Sequence, residues 1–229
     1  MSIAENVERV RQRIQVACRR SGRAVEDVRL IAVSKTKPAE AVRQAYAAGL
    51  REFGENRVQE AAAKRQELEG LDAAWHLVGH LQSNKAKQAC QLFDCIQSVD
   101  SLHLAEKVDS AAAALGRKMP VLIEVHLGEE ASKFGVEESN LVQLAEQVGA
   151  LPSLELRGLM TLPPFFDDPE NVRPFFRRLR ELAGRIAARN LPGFHMRELS
   201  MGMSHDFEVA IEEGATIIRV GTAIFGGRQ

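Results

Sequence analysis

The chain has 229 residues, 45% of them hydrophobic, and its 30 Lys and Arg against 31 Asp and Glu leave a formal net charge of -1. Such a balance gives no global attraction to nucleic acid or to an anionic membrane, so partners of both kinds are predicted to be absent. The length suffices for one large core, and we expect a single domain over residues 1–229 because no Ser/Gly linker or low-complexity tract divides it.

The amino-terminal segment is charged and has a helical pattern. MSIAENVERVRQRIQ carries charges where a secretory signal would need an apolar run, and no later stretch is long and apolar enough for a membrane span. We therefore expect a cytoplasmic protein. Ser2 and Glu5 match a capping box, and Val7, Val10 and Ile14 recur at helical spacing. The segment predicts an extra helix that precedes the first strand and packs against the domain.

The cysteines and histidines do not form a metal-binding pattern. Cys18, Cys90 and Cys95 are an odd number without CxxC spacing, so we interpret them as reduced, buried thiols rather than a disulfide framework or zinc site. His76 and His80 are four residues apart, but they flank a strand end instead of sharing a helical face. No metal site is predicted.

From about residue 28 onward, apolar strand-like runs alternate with amphipathic helix-like stretches, which is typical of a parallel sheet. The strand candidates, in chain order, are Leu30–Val33, Glu52–Phe53, Trp75–Val78, Cys95–Val99, Val121–Leu127, Leu154–Leu159, Glu198–Ser200 and Thr216–Val220. Eight such strands predict an α/β fold, a closed (β/α)8 TIM-type barrel with the extra helix in front of it.

The first strand candidate leads directly to Lys35, in the segment RLIAVSKTKP over residues 29–38. Because a strand that is buried on both faces shows its first polar side chain at the carboxyl edge of the sheet, Lys35 is expected beside the loops that form barrel pockets. Partial desolvation there would lower the pKa of the lysine and let the neutral amine attack an aldehyde. The alternative is an ordinary solvated loop lysine.

Further candidates follow other strands. Asn56 in FGENRVQE and His80 in GHLQSNK come after the second and third strand candidates, so both are expected on the rim of the pocket, with local backbone capping as the alternative. Met160 and Met203 are candidates for contact with a bound ring, although methionine more often fills a core.

Basic segments give less guidance. Lys85, Lys87 and Lys133 could form a secondary cofactor or anion site, but exposed lysines near a helix start are common, and we place them outside the primary site. The segment over residues 175–180, FFRRLR, predicts a helix with a solvated cationic face. We assign no catalytic role to His205.

The last two strand-to-helix junctions have the composition of an anion site. They are Ser200–Ser204 and Gly221-Thr222. In barrels, a phosphate group often binds at these two junctions, where glycine lets the backbone approach and hydroxyls add donors. Gly202 and Gly221 supply the glycines, and Ser200, Ser204 and Thr222 supply the hydroxyls. Ordinary helix caps are the alternative.

Arg219 lies within the last strand candidate, on the same face as Ile217. A guanidinium in an apolar strand is costly unless it meets a partner. A pyridine nitrogen or an anionic group would suit it, and so would a buried ion pair with a carboxylate such as Glu124. If Arg219 faces a pyridine nitrogen, its permanent charge keeps that nitrogen unprotonated and weakens the ring as an electron sink.

Taken together, these segments resemble the pyridoxal phosphate homeostasis protein family, whose members are single-domain barrels similar to the N-terminal domain of alanine racemase. The resemblance spans nearly the whole chain. The matching segments are IAVSKTKP, FGENRVQE, WHLVGHLQSNK, SKFGV (Ser132 to Val136), RGLMT and SMGMSHDFEVAIEEGATIIRVGTAIFG.

The resemblance implies that pyridoxal 5'-phosphate (PLP) is held as a covalent Schiff base on Lys35. It implies the loops Ser200–Ser204 and Gly221-Thr222 as the phosphate cup, and Arg219 at the pyridine nitrogen. It also implies a non-catalytic role in PLP homeostasis: binding, storage and supply without robust turnover, with effects on amino-acid pools and with PLP-dependent apo-enzymes as the partners that receive the cofactor. We expect a monomer, because the chain lacks the second domain through which alanine racemase dimerises.

Two other functions share parts of this site. A weak PLP-dependent amino-acid racemase would need an acid/base group on each face of the substrate. Alanine racemase uses a tyrosine opposite its lysine, whereas the single tyrosine here, Tyr46, is expected on an outer helix. A phosphosugar aldolase would also use a barrel, a lysine and a phosphate cup, but it usually draws its lysine from a later strand than the first.

Overall fold

The computed structural model describes residues 2–128, 134–189 and 194–227. Within these ranges, parallel strands alternate with helices from Arg29 onward. The strands are β1 (Arg29–Val33), β2 (Glu52–Glu55), β3 (Ala74–Leu77), β4 (Cys95–Val99), β5 (Met119–His126), β6 (Val136–Glu137), β7 (Leu154–Met160), β8 (Phe194–Ser200) and β9 (Ile217–Val220).

The helices lie between and around these strands. They are α1 (Ile3–Ser21), α2 (Ala39–Ala47), α3 (Val58–Glu67), α4 (Ala86–Leu92), α5 (Leu102–Ala114), α6 (Glu138–Gly149), α7 (Arg173–Ala187), α8 (Phe207–Glu212) and α9 (Thr222–Phe225), with short 3-10 turns at Val25–Asp27, Ser83–Lys85 and Pro169–Val172.

Eight of the strands form a closed parallel barrel. Their order is β4-β3-β2-β1-β9-β8-β7-β5, and the pairing of β4 with β5 closes the ring. The first and last strands pair in the register Arg29 with Ile217. The (β/α)8 prediction is therefore confirmed, since each strand candidate corresponds to one strand of the ring.

The boundaries of several strands differ from the predicted ones. β8 begins at Phe194, four residues before the predicted Glu198, because its first half, FHMR, mixes polar and apolar side chains. β5 begins at Met119 and includes Pro120, which pairs with Glu155. β6 has only two residues and pairs with β5 outside the ring, so it is too short to give a sequence pattern.

The core has two layers, as the barrel fold requires. Alternate strand residues form an interior cluster of Ile31, Val33, Val78, Cys95, Leu122, Met160 and Ile217. A larger cluster fills the space between the strands and the helices, and it includes Val7, Val10 and Ile14 of α1. The capping box of α1 is present, with the Ser2 N–H 2.7 Å from Glu5 Oε2 and the Glu5 N–H 3.2 Å from Ser2 Oγ.

All three cysteines are buried and unpaired, as predicted. No helix in the described ranges is both long and apolar enough to cross a membrane. Among the same residues, no group of three or more His, Cys, Asp or Glu side chains lies in an arrangement that could hold a metal ion.

Candidate functional site

A cavity of about 270 Å³ opens at the carboxyl ends of the barrel strands. This volume lies near the lower end of the range for small-molecule sites. Seven of the sequence candidates line it: Lys35, Asn56, Met203, Ser204, Arg219, Gly221 and Thr222. Residues far apart in the chain meet here because the carboxyl ends of parallel strands share one face of the barrel.

Cavities of similar size occur elsewhere on the protein. One of about 300 Å³ lies between α1 and the amino ends of β1 and β2, where Arg11 and Glu52 contribute to its wall. Another of about 330 Å³ lies along α1 beside the ion pair of Arg13 with Glu208. Neither contains a candidate from the sequence, and the chemistry of barrel proteins is found at the carboxyl face. We therefore assign function to the 270 Å³ cavity.

Lys35 lies in a tight turn immediately after β1. The Lys37 N–H donates to the Ser34 carbonyl over 3.0 Å and closes the turn. Thr36 has a φ of 64°, which is rare for a β-branched residue. The side chain of Lys35 lines the cavity and is exposed.

Arg219 lines the cavity although only 3% of its surface is exposed. Its guanidinium donates to the Ser200 hydroxyl over 2.6 Å and to the Thr161 carbonyl over 2.8 Å. Burial lowers the pKa of Arg219 to about 10. The side chain therefore keeps its positive charge at neutral pH.

Glu124 is the carboxylate considered above as an ion-pair partner for Arg219. It is buried, but no ion pair joins it to Arg219 among the described side chains, because the guanidinium donates to two neutral oxygens instead. Burial raises the pKa of Glu124 to about 7, and the charge of Arg219 opposes this rise from a longer distance. The direct ion-pair alternative is thus not observed.

The two predicted anion-binding loops are joined by a serine. Ser204 Oγ accepts hydrogen bonds from the Gly221 N–H over 3.1 Å and from the Ala223 N–H over 3.2 Å. Because the oxygen is the acceptor in both bonds, the hydroxyl hydrogen of Ser204 can still be donated to a ligand.

Gly202 allows the first of these loops to pass close to α8. Its φ is 91°, and a Cβ atom at this position would lie 2.5 Å from Ala210 Cβ and 3.0 Å from Phe207 Cα. Only glycine combines this conformation with this space. The loop backbone is therefore fixed by packing against α8.

Besides Gly202, three sequence candidates are not part of the cavity wall. Ser200 is buried beneath it and connects Arg219 to Gln97, to which its hydroxyl donates over 2.7 Å. Met160 is fully buried in the interior cluster. His80 stacks its ring on Phe134 with centroids 3.7 Å apart, and its Nδ1 is 3.4 Å from Asp100 Oδ2.

Five lining residues were not among the candidates: Val33, Val78, Leu162, Phe165 and His205. Strand alternation could have found Val33 and Val78, because Val33 ends β1, Val78 directly follows β3, and both face the interior of the barrel. Phe165, with 70% of its surface exposed, belongs to the irregular segment after β7, which has no periodic pattern. His205 is close to it, with ring centroids 5.1 Å apart.

The secondary anion site considered for Lys133 lies outside the described residues, as does Ser132 of the SKFGV segment. Lys85 ends a 3-10 turn beside α4. It is not among the residues that line the 270 Å³ cavity.

Residues 3–229 match the family described as alanine racemase, N-terminal domain. The chain is 46% identical over 229 residues to the pyridoxal phosphate homeostasis protein of Aquifex aeolicus (strain VF5), and the match covers 100% of both proteins.

Two solved structures place this similarity in three dimensions. PipY of Synechococcus elongatus PCC7942, in its structure with PLP bound, is 43% identical, with a TM-score of 0.87 over 98% of this chain and 100% of that chain. An alanine racemase of Clostridium difficile 630 is only 16% identical, with a TM-score of 0.75 over 99% of this chain and 57% of that chain. The second likeness concerns the fold alone.

Proposed function

The chain belongs to the pyridoxal phosphate homeostasis protein family, and from this premise we propose that it binds PLP in the 270 Å³ cavity, stores it and supplies it to PLP-dependent apo-enzymes without robust turnover of a substrate. The observation that carries this proposal is the meeting of Lys35, Arg219 and the Ser204 loop around one cavity. These residues come from opposite ends of the sequence.

The residues of the cavity are chemically suited to the aldehyde, the phosphate and the ring of PLP. Lys35 supplies an amine, Arg219 supplies a fixed positive charge, and the hydroxyls of Ser204 and Thr222 supply donors for a phosphate group. Val33, Val78 and Leu162 form apolar walls that suit a flat ring. We assign the phosphate to the Ser204 and Thr222 side of the cavity and the ring nitrogen to Arg219.

When bound, PLP supplies an aldehyde that an amine can attack and a ring that can withdraw electrons. Lys35 would hold the cofactor covalently, and the loops around Ser204 would orient its phosphate. Arg219 cannot give up its proton at neutral pH, so it would keep the ring nitrogen unprotonated. This arrangement favours retention of the cofactor over carbanion chemistry, which supports a storage role.

The test of this proposal is covalent labelling. We expect the wild-type protein mixed with PLP to show a new absorption band and, after borohydride reduction, a modified peptide that maps to Lys35. Lys35→Ala should lose both signals, whereas Lys37→Ala, two residues along the same turn, should retain the label at Lys35. A label spread over surface lysines, or no label at all, would contradict the assignment.

A weak amino-acid racemase is the second candidate, because His205 places an imidazole at the cavity in addition to the amine of Lys35. Tyr46 does not serve this purpose: it lies in α2, with the Arg51 guanidinium 3.8 Å from its ring centroid. Rapid incorporation of solvent deuterium at the α-carbon of an amino acid, with inversion, would favour the racemase. Slow or absent incorporation would favour storage.

A further inference from the structure

A buried group of charges lies behind the Lys35 turn, between the barrel and α3. Lys64 of α3 is 5% exposed, and Glu55 at the end of β2 is completely buried. Lys64 Nζ lies 2.5 Å from Glu55 Oε1 and 3.0 Å from Glu60 Oε1. We refer to Ser34, Glu55, Glu60 and Lys64 as the Lys64 cluster.

The Lys64 cluster holds the backbone on both sides of Lys35. On one side, Lys64 Nζ donates to the Ser34 carbonyl over 2.7 Å, and the Ser34 hydroxyl donates to Glu55 Oε1 over 2.6 Å. On the other side, the Thr36 N–H donates to Glu60 Oε1 over 2.5 Å. The residues before and after Lys35 are therefore bound to the same group of charges.

Such a cluster is a costly way to fill the space between a strand and a helix. Charges lose their hydration when they are buried, and apolar side chains of similar volume often serve as well. Glu55 Oε2 makes no hydrogen bond within the part of the chain that the structure describes, so the cluster is not fully compensated. Thr36 is also held at a positive φ, which persists only where surrounding contacts enforce it.

Strand alternation explains how this cluster acts on the cavity without lining it. Val33 faces the interior of the barrel, so Ser34 faces the helix layer and Lys35 turns back toward the cavity. A contact made by Ser34 in the helix layer thus fixes the backbone from which the Lys35 side chain projects.

We propose that Lys64 and Glu60 are positioning residues for Lys35, which hold the turn at Ser34 and Thr36 so that the lysine amine meets the aldehyde of bound PLP. The inference rests on the proposed function. It adds two residues that neither line the cavity nor were singled out from the sequence.

The experiment compares two ligands that differ at one carbon. PLP carries the aldehyde, whereas pyridoxine 5'-phosphate carries a hydroxymethyl group there and cannot attach to Lys35. We expect Lys64→Met and Glu60→Ala to weaken PLP binding about tenfold or more, because misplacement of a reacting group by about 1 Å has effects of this size or larger. Binding of pyridoxine 5'-phosphate should stay close to that of the wild type.

The controls separate positioning from general damage. Arg65→Met removes a positive charge from the next position of α3, where the guanidinium donates to the Leu92 carbonyl, and it should leave both affinities unchanged. Glu60→Gln keeps an acceptor for the Thr36 N–H and should restore PLP binding. Glu60 is about one-quarter exposed, so Glu60→Ala tests the idea even if Lys64→Met does not fold.

A second measurement needs no cofactor. Hydrogen exchange of the Thr36 amide should be faster in Glu60→Ala than in the wild type or in Arg65→Met. Unchanged exchange, equal loss of both ligands, or unchanged PLP affinity in Glu60→Ala would each overturn the proposal. If the wild type binds neither ligand, the proposed function fails, and the Thr36 exchange still decides whether Glu60 holds the turn.

Discussion

Arg219 keeps its positive charge in a place where no carboxylate of the described residues contacts it directly. Two of its N–H groups donate to the Ser200 hydroxyl and the Thr161 carbonyl, both neutral, and Glu124 and Asp206 act on its charge from a longer distance. The charge is therefore not cancelled within hydrogen-bonding distance. An acceptor that enters the cavity would meet a fixed cation, which is how the structure supports the assignment of Arg219 to the ring nitrogen.

We predict that Arg219→Gln raises the rate of α-deuterium incorporation into an amino acid bound with PLP. A neutral amide no longer keeps the ring nitrogen unprotonated, so the ring withdraws electrons better, and an increase of about tenfold corresponds to about 1.4 kcal/mol in the barrier. Mass spectrometry of the amino acid measures the exchange. Arg219→Lys, which keeps the charge, is the control; equal rates in the wild type and both variants would argue against this role.

Glu124 should make the ligand-free protein less stable as the pH rises. Burial raises the pKa of Glu124 from its ordinary value of 4.5 to about 7, so the folded state binds this proton more tightly than the unfolded state. The stabilisation is complete below the unfolded value and is lost between about pH 4.5 and about pH 7, up to about 3 kcal/mol.

Urea unfolding at about pH 5 and about pH 8 measures this effect. The free energy of unfolding should fall more between these two values in the wild type than in Glu124→Gln, which has no proton to lose. A variant whose stability changes with pH as steeply as the wild type would show that other groups are responsible.

Strands β7 and β8 approach each other at a glycine. A Cβ atom on Gly158 would lie 1.8 Å from the carbonyl oxygen of Glu198, its register partner in β8. The pairing shifts register between Leu156 and Gly158, so this contact lies beside an irregularity in the ladder. The same two strands lead to Met160 and Ser200, and the separation between them is therefore part of what shapes the site.

Gly158→Ala is expected to destabilise the fold by about 3 kcal/mol or more, because the clash is with backbone and cannot be relieved by rotating a side chain. Gly184→Ala, in α7, is the matched control. Nothing lies within 4 Å of a Cβ atom there, and alanine should stabilise the helix by about 0.5–1 kcal/mol. Urea unfolding of both variants gives the comparison; a small loss in Gly158→Ala would mean that the two strands can separate at little cost.

Local patterns located most of the strands. β4 and β7 begin at the predicted residues, and β4 also ends where predicted, although each strand includes polar residues among its apolar ones. The first half of β8, FHMR, was missed because apolar and polar residues alternate in it. β6 was missed because two residues cannot show a period.

The barrel brings seven of the sequence candidates together at the carboxyl ends of its strands. The oligomeric state predicted from the sequence is a monomer. Light scattering should give a mass near 25.3 kDa at micromolar concentration; a stable mass of twice that value would contradict this expectation.

Sequence order alone could not predict the contacts behind Lys35. Ser34 and Lys64 are 30 residues apart in the chain, and Glu55 lies between them. No pattern in the sequence connects these three residues. Glu60 is within the recognised segment FGENRVQE, but its bond to the Thr36 N–H depends on how α3 lies against β1. Such contacts are decided by packing between elements, which has no one-dimensional signal.

The sequence by itself determined the barrel, the strand that delivers Lys35, and the position of Arg219 in the last strand, because these depend on local hydrophobic runs and on the chain order of strands and helices. Only the tertiary structure decided that Arg219 avoids a direct ion pair with Glu124, that Ser204 joins the two loops, and that Lys64 holds the turn at Lys35. The physical reason is that hydrogen bonds and charge contacts depend on distances between side chains to within a few tenths of an ångström. Those distances are set when all the elements pack together.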